Sequence, residues 1–557
     1  MRFNSPQHKN KLFFVPFVGT HEIGMNMSAY CLNNKWLMVD FGLGFAQGRF
    51  PGIDILLPDI TFLQEHKSSI VGLVLTHGHE DHIGAIPYLW KALGCPIYTS
   101  PFTANVLRAK LQDFGSNLKI PIKEIDQNTK LDLSPFSIEL FGITHSVLET
   151  RGLMIRTSAG NVFHTGDWKL DKDPVLGSPT DEDKLLAFGD EGVLAVVCDS
   201  TNIFTPGTSG SEGDLAKSLQ EILSKHRDHF IVLTTFSSNI ARIYSIAKIA
   251  KALNKKVVLA GRSFWRLYNV ALDSGYLDDI EPFLTPKEMK QFPKNEIIAI
   301  CAGCQGEELA AVTKIANGQH PDIQMNKGDK IIFSSKIIPG NELKIHSLIN
   351  KFCKKGVEVL TEKHHFVHVS GHPAREEVVR LYKLLRPQIS VPVHGEARHL
   401  HEHCKLAESI GIPHTIEMEN GTVIQLSKDG PKKCAELETG YLALDGSSII
   451  DTHSPILKNR FILGNHGIVV VILVLNKENR CVKHPTIYAP GILDENNDFD
   501  GELVDYLIAE IRDSILVTKN VDTKSLRSAV TKLIKKTLFK QRKKEPQIIV
   551  HIERVNI

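Results

Sequence analysis

The stretch Thr76-His77-Gly78-His79-Glu80-Asp81-His82 places four metal-ligand side chains within six residues. These side chains belong to His77, His79, Asp81 and His82, and they follow an apolar run that predicts a buried strand over residues 70–76. Because a strand end leads into a loop, one tight turn can aim all four inward. Imidazole and carboxylate ligands favour zinc or manganese, and no thiolate is nearby. The alternative, an exposed histidine-rich loop, is disfavoured by this density of ligand types at a strand end.

Three further candidate ligands also follow predicted strands and lie near Gly or Ser. They are His145, Asp167 and His394. Seven candidate ligands exceed what one tetrahedral ion needs, so the sequence predicts a site for two ions, roughly 3.5–4 Å apart. Asp40 ends another predicted strand, and we expect it to orient a metal-bound histidine.

Composition excludes several classes of protein. The chain has 557 residues, 42% of them hydrophobic, and a formal net charge of +2. Disorder as the main state and a strongly basic nucleic-acid coat are therefore excluded, although a local basic groove is not. The longest aliphatic run, residues 468–475, is too short for a membrane span, and residues 1–10 lack the apolar core of a signal peptide. With nine scattered cysteines, we expect a cytoplasmic protein with reduced thiols and no membrane partner.

The order of predicted elements indicates an α/β protein with several parts. Up to residue 199, many strands with occasional helices predict two packed sheets with helices outside. Strand and helix then alternate, which predicts a parallel α/β unit. Residues 428–460 are polar and punctuated by Gly and Pro, and we predict a linker there. The remainder predicts a strand, two amphipathic helices and a final strand.

The ligand motif resembles that of the metallo-β-lactamase superfamily, and three later motifs resemble those of its β-CASP nucleases. These are Cys198-Asp199-Ser200-Thr201-Asn202, His368-Val369-Ser370-Gly371-His372 and Pro392-Val393-His394-Gly395-Glu396. The wider pattern, over nearly the whole chain, resembles the bacterial ribonuclease J family through Asp40-Phe41-Gly42, Phe236-Ser237-Ser238-Asn239, Gly261-Arg262-Ser263 and Pro339-Gly340-Asn341-Glu342.

The resemblance implies a fold and a division of the chain. The fold would be an αββα metallo-β-lactamase sandwich with an inserted β-CASP α/β domain and a small C-terminal α/β domain. The sandwich would comprise residues 1–210 together with residues 387–455, the second of which also includes the linker. The β-CASP domain would comprise residues 211–386. The C-terminal domain would comprise residues 456–557. Family members suggest homodimers or homotetramers.

The resemblance also assigns the seven ligands to two divalent ions, zinc first and manganese second. One ion would be bound by His77, His79 and His145. The other would be bound by Asp81, His82 and His394, with Asp167 bridging the two.

The implied activity is hydrolysis of RNA phosphodiester bonds, as a 5′→3′ exonuclease favouring 5′-monophosphate ends and as an endonuclease, in RNA maturation and decay. The catalytic set would be Asp81, His372 and Asp199, with His372 protonating the leaving 3′-oxygen and Asp199 orienting it. A purely structural His372 is the alternative. By analogy with the family, His394 in the third motif points to RNA rather than DNA, and the partner would be single-stranded RNA.

A phosphate pocket is predicted from hydroxyl, amide and backbone donors. Its residues are His368, Val369, Ser370, Gly371, His372, Ser237, Ser238 and Asn239. Turn and helix-cap chemistry is the alternative for the Ser and Asn residues. The sequence departs from the family pattern at Ser146-Val147-Leu148-Glu149, where a Pro-Asp pair is usual, and at Pro373, where Ala is usual.

Two other functions compete with a ribonuclease. A small-molecule metallohydrolase such as a thioesterase would share the motif at residues 77–82, but not the insertion. A scaffold subunit with an inactive site is disfavoured because all seven ligand positions are intact. A basic run, Lys535-Lys536 and Gln541-Arg542-Lys543-Lys544, is usually a solvated helix face, and contact with RNA backbone is the alternative.

Overall fold

The computed structural model describes residues 3, 5–115, 118–127, 129–494, 496–517 and 522–556. The chain forms two compact units. The first comprises the chain up to Gly44 together with Leu57–Tyr441, and the second comprises Phe45–Leu56 together with the chain from Leu442 onward. The four-part division predicted above stays a prediction. In the described part of the chain, no helix is both long enough and apolar enough to cross a membrane.

Short strands dominate the chain up to residue 199. In chain order the elements are β1 (Leu12–Val18), β2 (Met27–Leu32), β3 (Lys35–Val39), β4 (Gly44–Phe45), β5 (Ile55–Pro58), α1 (Thr61–Glu65), β6 (Ile70–Val74), α2 (Glu80–Ile83), α3 (Ile86–Leu93), β7 (Ile97–Thr99), α4 (Pro101–Asp113), β8 (Ile122–Glu124), β9 (Lys130–Leu133), β10 (Phe136–Gly142), β11 (Arg151–Arg156), β12 (Asn161–His164), α5 (Glu182–Asp190) and β13 (Val193–Asp199).

Helices and strands alternate over the next part of the chain. These elements are α6 (Glu212–Lys225), β14 (Ile231–Thr234), α7 (Ile240–Ala252), β15 (Lys256–Ala260), α8 (Arg262–Asp273), β16 (Ile297–Cys301), α9 (Ala311–Asn317), β17 (Lys330–Phe333), α10 (Glu342–Lys354), β18 (Glu358–Leu360), α11 (Arg375–Leu385), β19 (Ile389–Val393) and α12 (Ala397–Ser409).

The last part of the chain contains β20 (His414–Thr415), β21 (Thr422–Leu426), β22 (Lys432–Glu436), β23 (Tyr441–Asp445), β24 (Ser448–Asp451), α13 (Pro455–His466), β25 (Ile468–Leu475), β26 (Thr486–Tyr488), α14 (Asp498–Val517), α15 (Thr523–Arg542) and β27 (Gln547–Arg554). Residues 428–460 therefore hold three strands and part of a helix, where the sequence predicted a linker. The pairing of β22 with β21 accounts for the first of these strands.

Two sheets of the first unit form an αββα sandwich, as expected. Their strand orders are β22-β21-β1-β2-β3-β6-β7-β8 and β20-β19-β13-β12-β11-β10-β9. Apolar side chains from both sheets, such as Phe14, Leu140 and Val391, share one core. Helices α5, α11 and α12 cover the outer face of the second sheet, and the Phe62 ring of α1 packs edge-on against Trp36 of the first, with centroids 5.3 Å apart.

An α/β domain is inserted between two neighbouring strands of this sandwich. Strands β13 and β19 pair in parallel although the whole insertion separates them in sequence. The insertion contains a parallel sheet of order β15-β16-β14-β17-β18, and apolar residues such as Val232, Ile331 and Phe352 form its own core. The chain is back in the sandwich by helix α11, which covers the second sheet, and strand β19 then leads directly into His394.

The candidate metal ligands follow sandwich strands in the sequence. Strands β3 and β6 are parallel neighbours, and so are β12, β13 and β19. The carboxyl ends of parallel strands meet at one edge of a sheet, where ligands commonly bind. One correction concerns the ligand loop, because Asp81 and His82 lie on the short helix α2, which begins earlier than the helix predicted over residues 83–93. The acidic Glu80 and Asp81 favour that helix start.

In the second unit, helices α14 and α15 cover one face of a sheet of order β26-β25-β27. Strand β25 alternates between buried and half-buried side chains, so Val469 and Val471 face the helices while Val470 and Ile472 lie on the other face. A further sheet has the order β24-β23-β5-β4.

Candidate active site

Three histidines form one side of the site. Nε2 of His77 lies 3.0 Å from Nδ1 of His79, and Nε2 of His145 lies 3.2 Å from the same atom. Nδ1 of His145 donates to the carbonyl of Gly371 at 2.5 Å, which leaves its Nε2 lone pair directed at the cluster. Together with Asp167, the three imidazoles offer ligand atoms that all lie within 4.8 Å of one another.

Asp81, His82 and His394 form the other side of the site. Oδ2 of Asp81 lies 3.7 Å from Nε2 of His82 and 3.6 Å from Nε2 of His394. Asp167 reaches this side too, with 3.2 Å from its Oδ2 to His82 and 2.8 Å from its Oδ1 to Nδ1 of His394. Asp167 is therefore shared by both groups of ligand atoms.

The two sides of the site differ in their electrostatics. Burial lowers the pKa of His77 and His145, and it lowers the pKa of His79 to about 4. Burial would also lower the pKa of His394, but Asp167 outweighs it and raises that pKa to about 9. Neutral imidazoles are the metal-binding form, so metal binding at the His394 side should release protons.

Asp40 holds one of these histidines in place. Its Oδ2 accepts from Nδ1 of His82 at 2.7 Å, and its Oδ1 accepts from the backbone N–H of Thr76 at 2.8 Å. Asp40 is buried and has a φ of +60°. Because Nδ1 of His82 is engaged in this way, its Nε2 faces Asp167. Asp40 thus orients a candidate metal-bound histidine, which is the role that the sequence predicts for it.

The donor set fits divalent metal ions. Each of the two groups combines imidazole nitrogens with carboxylate oxygens at close range, and Asp167 belongs to both. No cysteine belongs to either group of described residues. Nitrogen and oxygen donors of this kind suit zinc and manganese.

His372 and Asp199 form a pair beside the ligands. Nδ1 of His372 donates to Oδ2 of Asp199 at 2.7 Å, while Oδ1 of Asp199 accepts from the backbone N–H of Thr201 at 2.8 Å. Burial would lower the pKa of His372, but Asp199 and Asp167 raise it. The pair also forms a third possible metal-ligand group with Asp167 and His394.

The segment His368–His372 reaches the ligands through its last three residues. Oγ of Ser370 accepts from the side-chain amide of Asn202 at 2.7 Å and from the backbone N–H of His372 at 3.1 Å. Adding a Cβ to Gly371 would bring it within 2.8 Å of the His145 ring, so only glycine fits this approach. His368 is half-buried, and burial of its ring lowers its pKa to about 3. The Val369 side chain packs on Gly210.

The three residues 237–239 divide between different roles. Oγ of Ser238 lies 3.0 Å from Nε2 of His79, and Ser237 is half-buried nearby in sequence. Asn239 is buried, caps helix α7 by accepting from the backbone N–H of Arg242 at 2.9 Å, and donates to Glu212. Its amide oxygen and nitrogen are thus both engaged within the protein, which is the helix capping noted from sequence as the alternative, and its contact with substrate stays a prediction.

Sequence reasoning missed several residues of the site. Asn202 also donates to the carbonyl of His372 at 3.2 Å, and Nζ of Lys336 donates to Asn202 at 3.2 Å. Asn202 stands in the first of the three later motifs, which was a usable signal, whereas nothing marks Lys336. Glu149, where the family pattern is broken, accepts from the start of helix α4 at Phe102 N (2.9 Å) and from the Tyr276 hydroxyl (2.8 Å).

Family models match four stretches of the chain. They describe a metallo-β-lactamase superfamily domain (residues 26–218), a ribonuclease J β-CASP domain (228–352), a Zn-dependent metallo-hydrolase RNA specificity domain (356–417) and a ribonuclease J C-terminal domain (455–555). A crystal structure of a protein of unknown function from Enterococcus faecalis shares the fold, with a TM-score of 0.51 and 17% identity over 75% of this chain and all of that one.

Full-length relatives carry one name. Ribonuclease J of Sinorhizobium meliloti is 38% identical over 98% of both chains. Ribonuclease J of Thermus thermophilus is 33% identical over 96% of this chain and 94% of its own, and ribonuclease J 1 of Streptococcus pyogenes is 33% identical over 95% of each. With such coverage and with the matching domain order, the chain belongs to the ribonuclease J family of metal-dependent ribonucleases.

Proposed function

We propose that this chain is a two-metal 5′→3′ exoribonuclease that prefers 5′-monophosphate ends, and also an endoribonuclease, acting in RNA maturation and decay in the cytoplasm. The observation that carries the proposal is the contact between the segment at Ser370–His372 and the ligand cluster. The carbonyl of Gly371 accepts from the candidate ligand His145. A terminal phosphate bound by this segment would lie close to the reacting centre.

Two sets of residues would hold the ions. His77, His79 and His145 form one set, and Asp81, His82 and His394 form the other, with Asp167 shared. When bound, zinc or manganese ions lower the pKa of water and stabilise charge on the scissile phosphate.

His372 is placed to protonate the leaving 3′-oxygen. Its Nδ1 is engaged by Asp199, so Nε2 is the nitrogen that remains for the substrate. Asp199 holds the ring in this tautomer and stabilises its protonated form, as carboxylates do beside catalytic histidines. Asp81 is half-buried beside His82 and His394, where its second oxygen can orient the attacking water.

Ser370 is the central donor of the proposed 5′-phosphate pocket. Because its Oγ accepts from Asn202 and from the His372 backbone, its own proton remains to be donated. Lys336, bonded to Asn202, adds positive charge close by. A 5′-monophosphate gains charge-assisted hydrogen bonds here, a 5′-hydroxyl leaves donors unpaired at a cost of about 1–3 kcal/mol, and a 5′-triphosphate is too bulky to keep the scissile bond in register.

The test compares three RNAs that differ only in their 5′ ends. We expect release of mononucleotides from the monophosphate RNA, and much slower attack on the triphosphate and hydroxyl RNAs. Internal cleavage should depend less on the end group. Ser370→Phe should abolish the end preference and retain the metal, while the exposed Ser224→Phe serves as the matched control. Equal exonuclease rates on all three ends in the unmodified protein would exclude the pocket.

We further propose that the chain forms homodimers or homotetramers through the second unit. The face of strand β25 opposite the helices carries half-buried aliphatic side chains, including Val470, Ile472 and Val474, and Ile549 of β27 beside them is 46% exposed. A second copy would cover these side chains. Sedimentation velocity should show an oligomer that Ile472→Lys dissociates, and a monomer for the unmodified protein would refute this proposal.

A further inference from the structure

Helix α15 concentrates positive charge in a chain that is nearly neutral. Its residues Thr523–Arg542 include seven Lys or Arg and no Asp or Glu, whereas the whole chain carries only +2. The neighbouring helix α14 has the opposite character, with six acidic residues and one Arg. The second unit is therefore strongly polarised between two adjacent helices.

Five residues of α15 and its C-cap define what we call the basic face: Lys532, Lys535, Lys536, Phe539 and Lys543. All five are exposed. Their spacing of three or four residues places them on one side of the helix. The buried residues of the same helix, Leu526, Val530, Ile534 and Leu538, lie on the opposite side, against the sheet.

Protein carboxylates neutralise little of this charge. Lys535 lies 3.2 Å from Glu545. Among the residues that the structure describes, no carboxylate lies within ion-pair distance of Lys532, Lys536 or Lys543. The helix dipole favours cations within the last turn only, so it accounts for Lys543 but not for Lys532 and Lys536. Stability of the helix therefore does not explain the face.

An aromatic ring lies within the charge. Phe539 is 49% exposed, and Nζ of Lys543 lies 5.4 Å from its ring centroid. Proteins that bind single-stranded nucleic acid usually combine two components. Cations lie along the sugar-phosphate backbone, and an exposed aromatic ring stacks on a base.

We propose that the basic face binds single-stranded RNA, with its lysines on phosphates and Phe539 against a base. This inference rests on the proposed function only in taking RNA as the substrate, and it adds a binding surface in the second unit that is made of different residues from the cleavage site. The competing occupant is the acidic helix α14 of a second copy, which has complementary charge.

The size of the effect follows from counterion release. Four phosphate contacts on a single strand contribute about 2.8 to the slope of log affinity against log salt concentration. Replacing the four lysines should lower the slope by up to that amount. The affinity ratio between unmodified and substituted protein should then shrink by about 50-fold as salt rises from about 50 to about 200 mM.

The experiment measures binding of a long single-stranded RNA by fluorescence anisotropy over a salt series. The test variant is Lys532→Gln, Lys535→Gln, Lys536→Gln and Lys543→Gln. A control variant removes the same charge from other exposed lysines of the second unit, with Lys458→Gln, Lys477→Gln, Lys483→Gln and Lys524→Gln. His372→Ala is present in all proteins, including the reference, so that the RNA stays intact. Phe539→Leu separately tests stacking.

The expected result is a lower salt slope in the test variant and an unchanged slope in the control. In proteins with His372 restored, cleavage of a short 5′-monophosphate oligonucleotide should be the same in both, while kcat/KM on long RNA falls only in the test variant. Equal slopes in both variants would overturn the proposal. The proposal would also be overturned if sedimentation velocity showed that the test variant loses the oligomer while its salt slope stays unchanged. Failure of the proposed function would give a different result, because the unmodified protein would then cleave neither the short oligonucleotide nor the long RNA.

Discussion

The most informative perturbation of the site is His372→Ala. His372 belongs to neither of the two ligand groups that share Asp167 with the remaining histidines, and its Nδ1 is bonded to Asp199. Removing its ring should therefore take away a proton donor while leaving the candidate ligands in place. The structure also offers His372 within a third possible ligand group, so metal content must be measured together with the rate.

The expected loss is that of a general acid. Such groups contribute about 10²–10⁴-fold, which corresponds to about 2.7–5.4 kcal/mol of activation free energy. The pair with Asp199 supports this role, because Asp199 raises the pKa of His372 against the effect of burial and so favours the proton-donating form. Asp199→Asn, which keeps the hydrogen-bonding shape but not the charge, should lose less than His372→Ala.

The assay uses single turnover on two 5′-monophosphate RNAs. They are identical except that one carries sulfur in place of the leaving 3′-oxygen. A thiolate leaves without a proton, so the rate deficit of His372→Ala should nearly vanish on the sulfur substrate. His401→Ala provides the matched control, because His401 is an exposed histidine paired with Glu417, and it should behave like unmodified protein on both substrates.

Two results would refute the reasoning. An equal deficit on the oxygen and sulfur substrates would show that His372 does not protonate the leaving group. Loss of metal from His372→Ala, measured by elemental analysis of the purified protein, would show that it is a ligand.

Three further predictions concern metal content, acid stability and the loop after His145. Purified protein should contain about two divalent ions per chain, and His79→Ala should lower metal content and turnover together; full activity after chelation would contradict this. Burial would raise the pKa of Glu212, but Arg242 lowers it to about 2. This shift corresponds to about 3 kcal/mol of folding stability at neutral pH. In urea unfolding, Glu212→Gln should lose about this much at neutral pH, and the difference should vanish as pH falls from about 4.5 toward 2; a constant difference would contradict it. Tyr276→Phe removes the hydroxyl that donates to Glu149, so it should lower the free energy of urea unfolding by about 1 kcal/mol, the scale of a single hydrogen bond; an unchanged free energy would contradict it.

The ligand cluster could be predicted from sequence because each member follows a strand that is itself easy to recognise. Strand β6 is apolar and buried, and β12, β13 and β19 lie side by side. Local pattern therefore identified His77, Asp167 and His394, and parallel pairing brought them together.

Contacts that depend on tertiary juxtaposition could not be predicted in this way. The hydrogen bond from Tyr276 to Glu149 joins residues 127 positions apart, and that from Lys336 to Asn202 joins residues 134 apart. The strands within residues 428–460, where the sequence predicted a linker, were missed for a related reason. Strand β22 has almost no apolar pattern because its side chains are mostly exposed, and it is ordered by pairing with β21.

Backbone conformation links the fold to the chemistry of the site. Asp40, Glu149 and His394 all have positive φ, at +60°, +54° and +52°, although glycine would adopt this region without strain. Each costs of order 1–3 kcal/mol, and such residues persist where the surrounding structure holds them. Here the backbone N–H of Asp40 donates to Val74 and that of His394 to Gly19. The backbone at Asp40 and His394 is thus held by hydrogen bonds to Val74 and Gly19, so the fold, and not the conformational preference of either residue, aims these two side chains at the site.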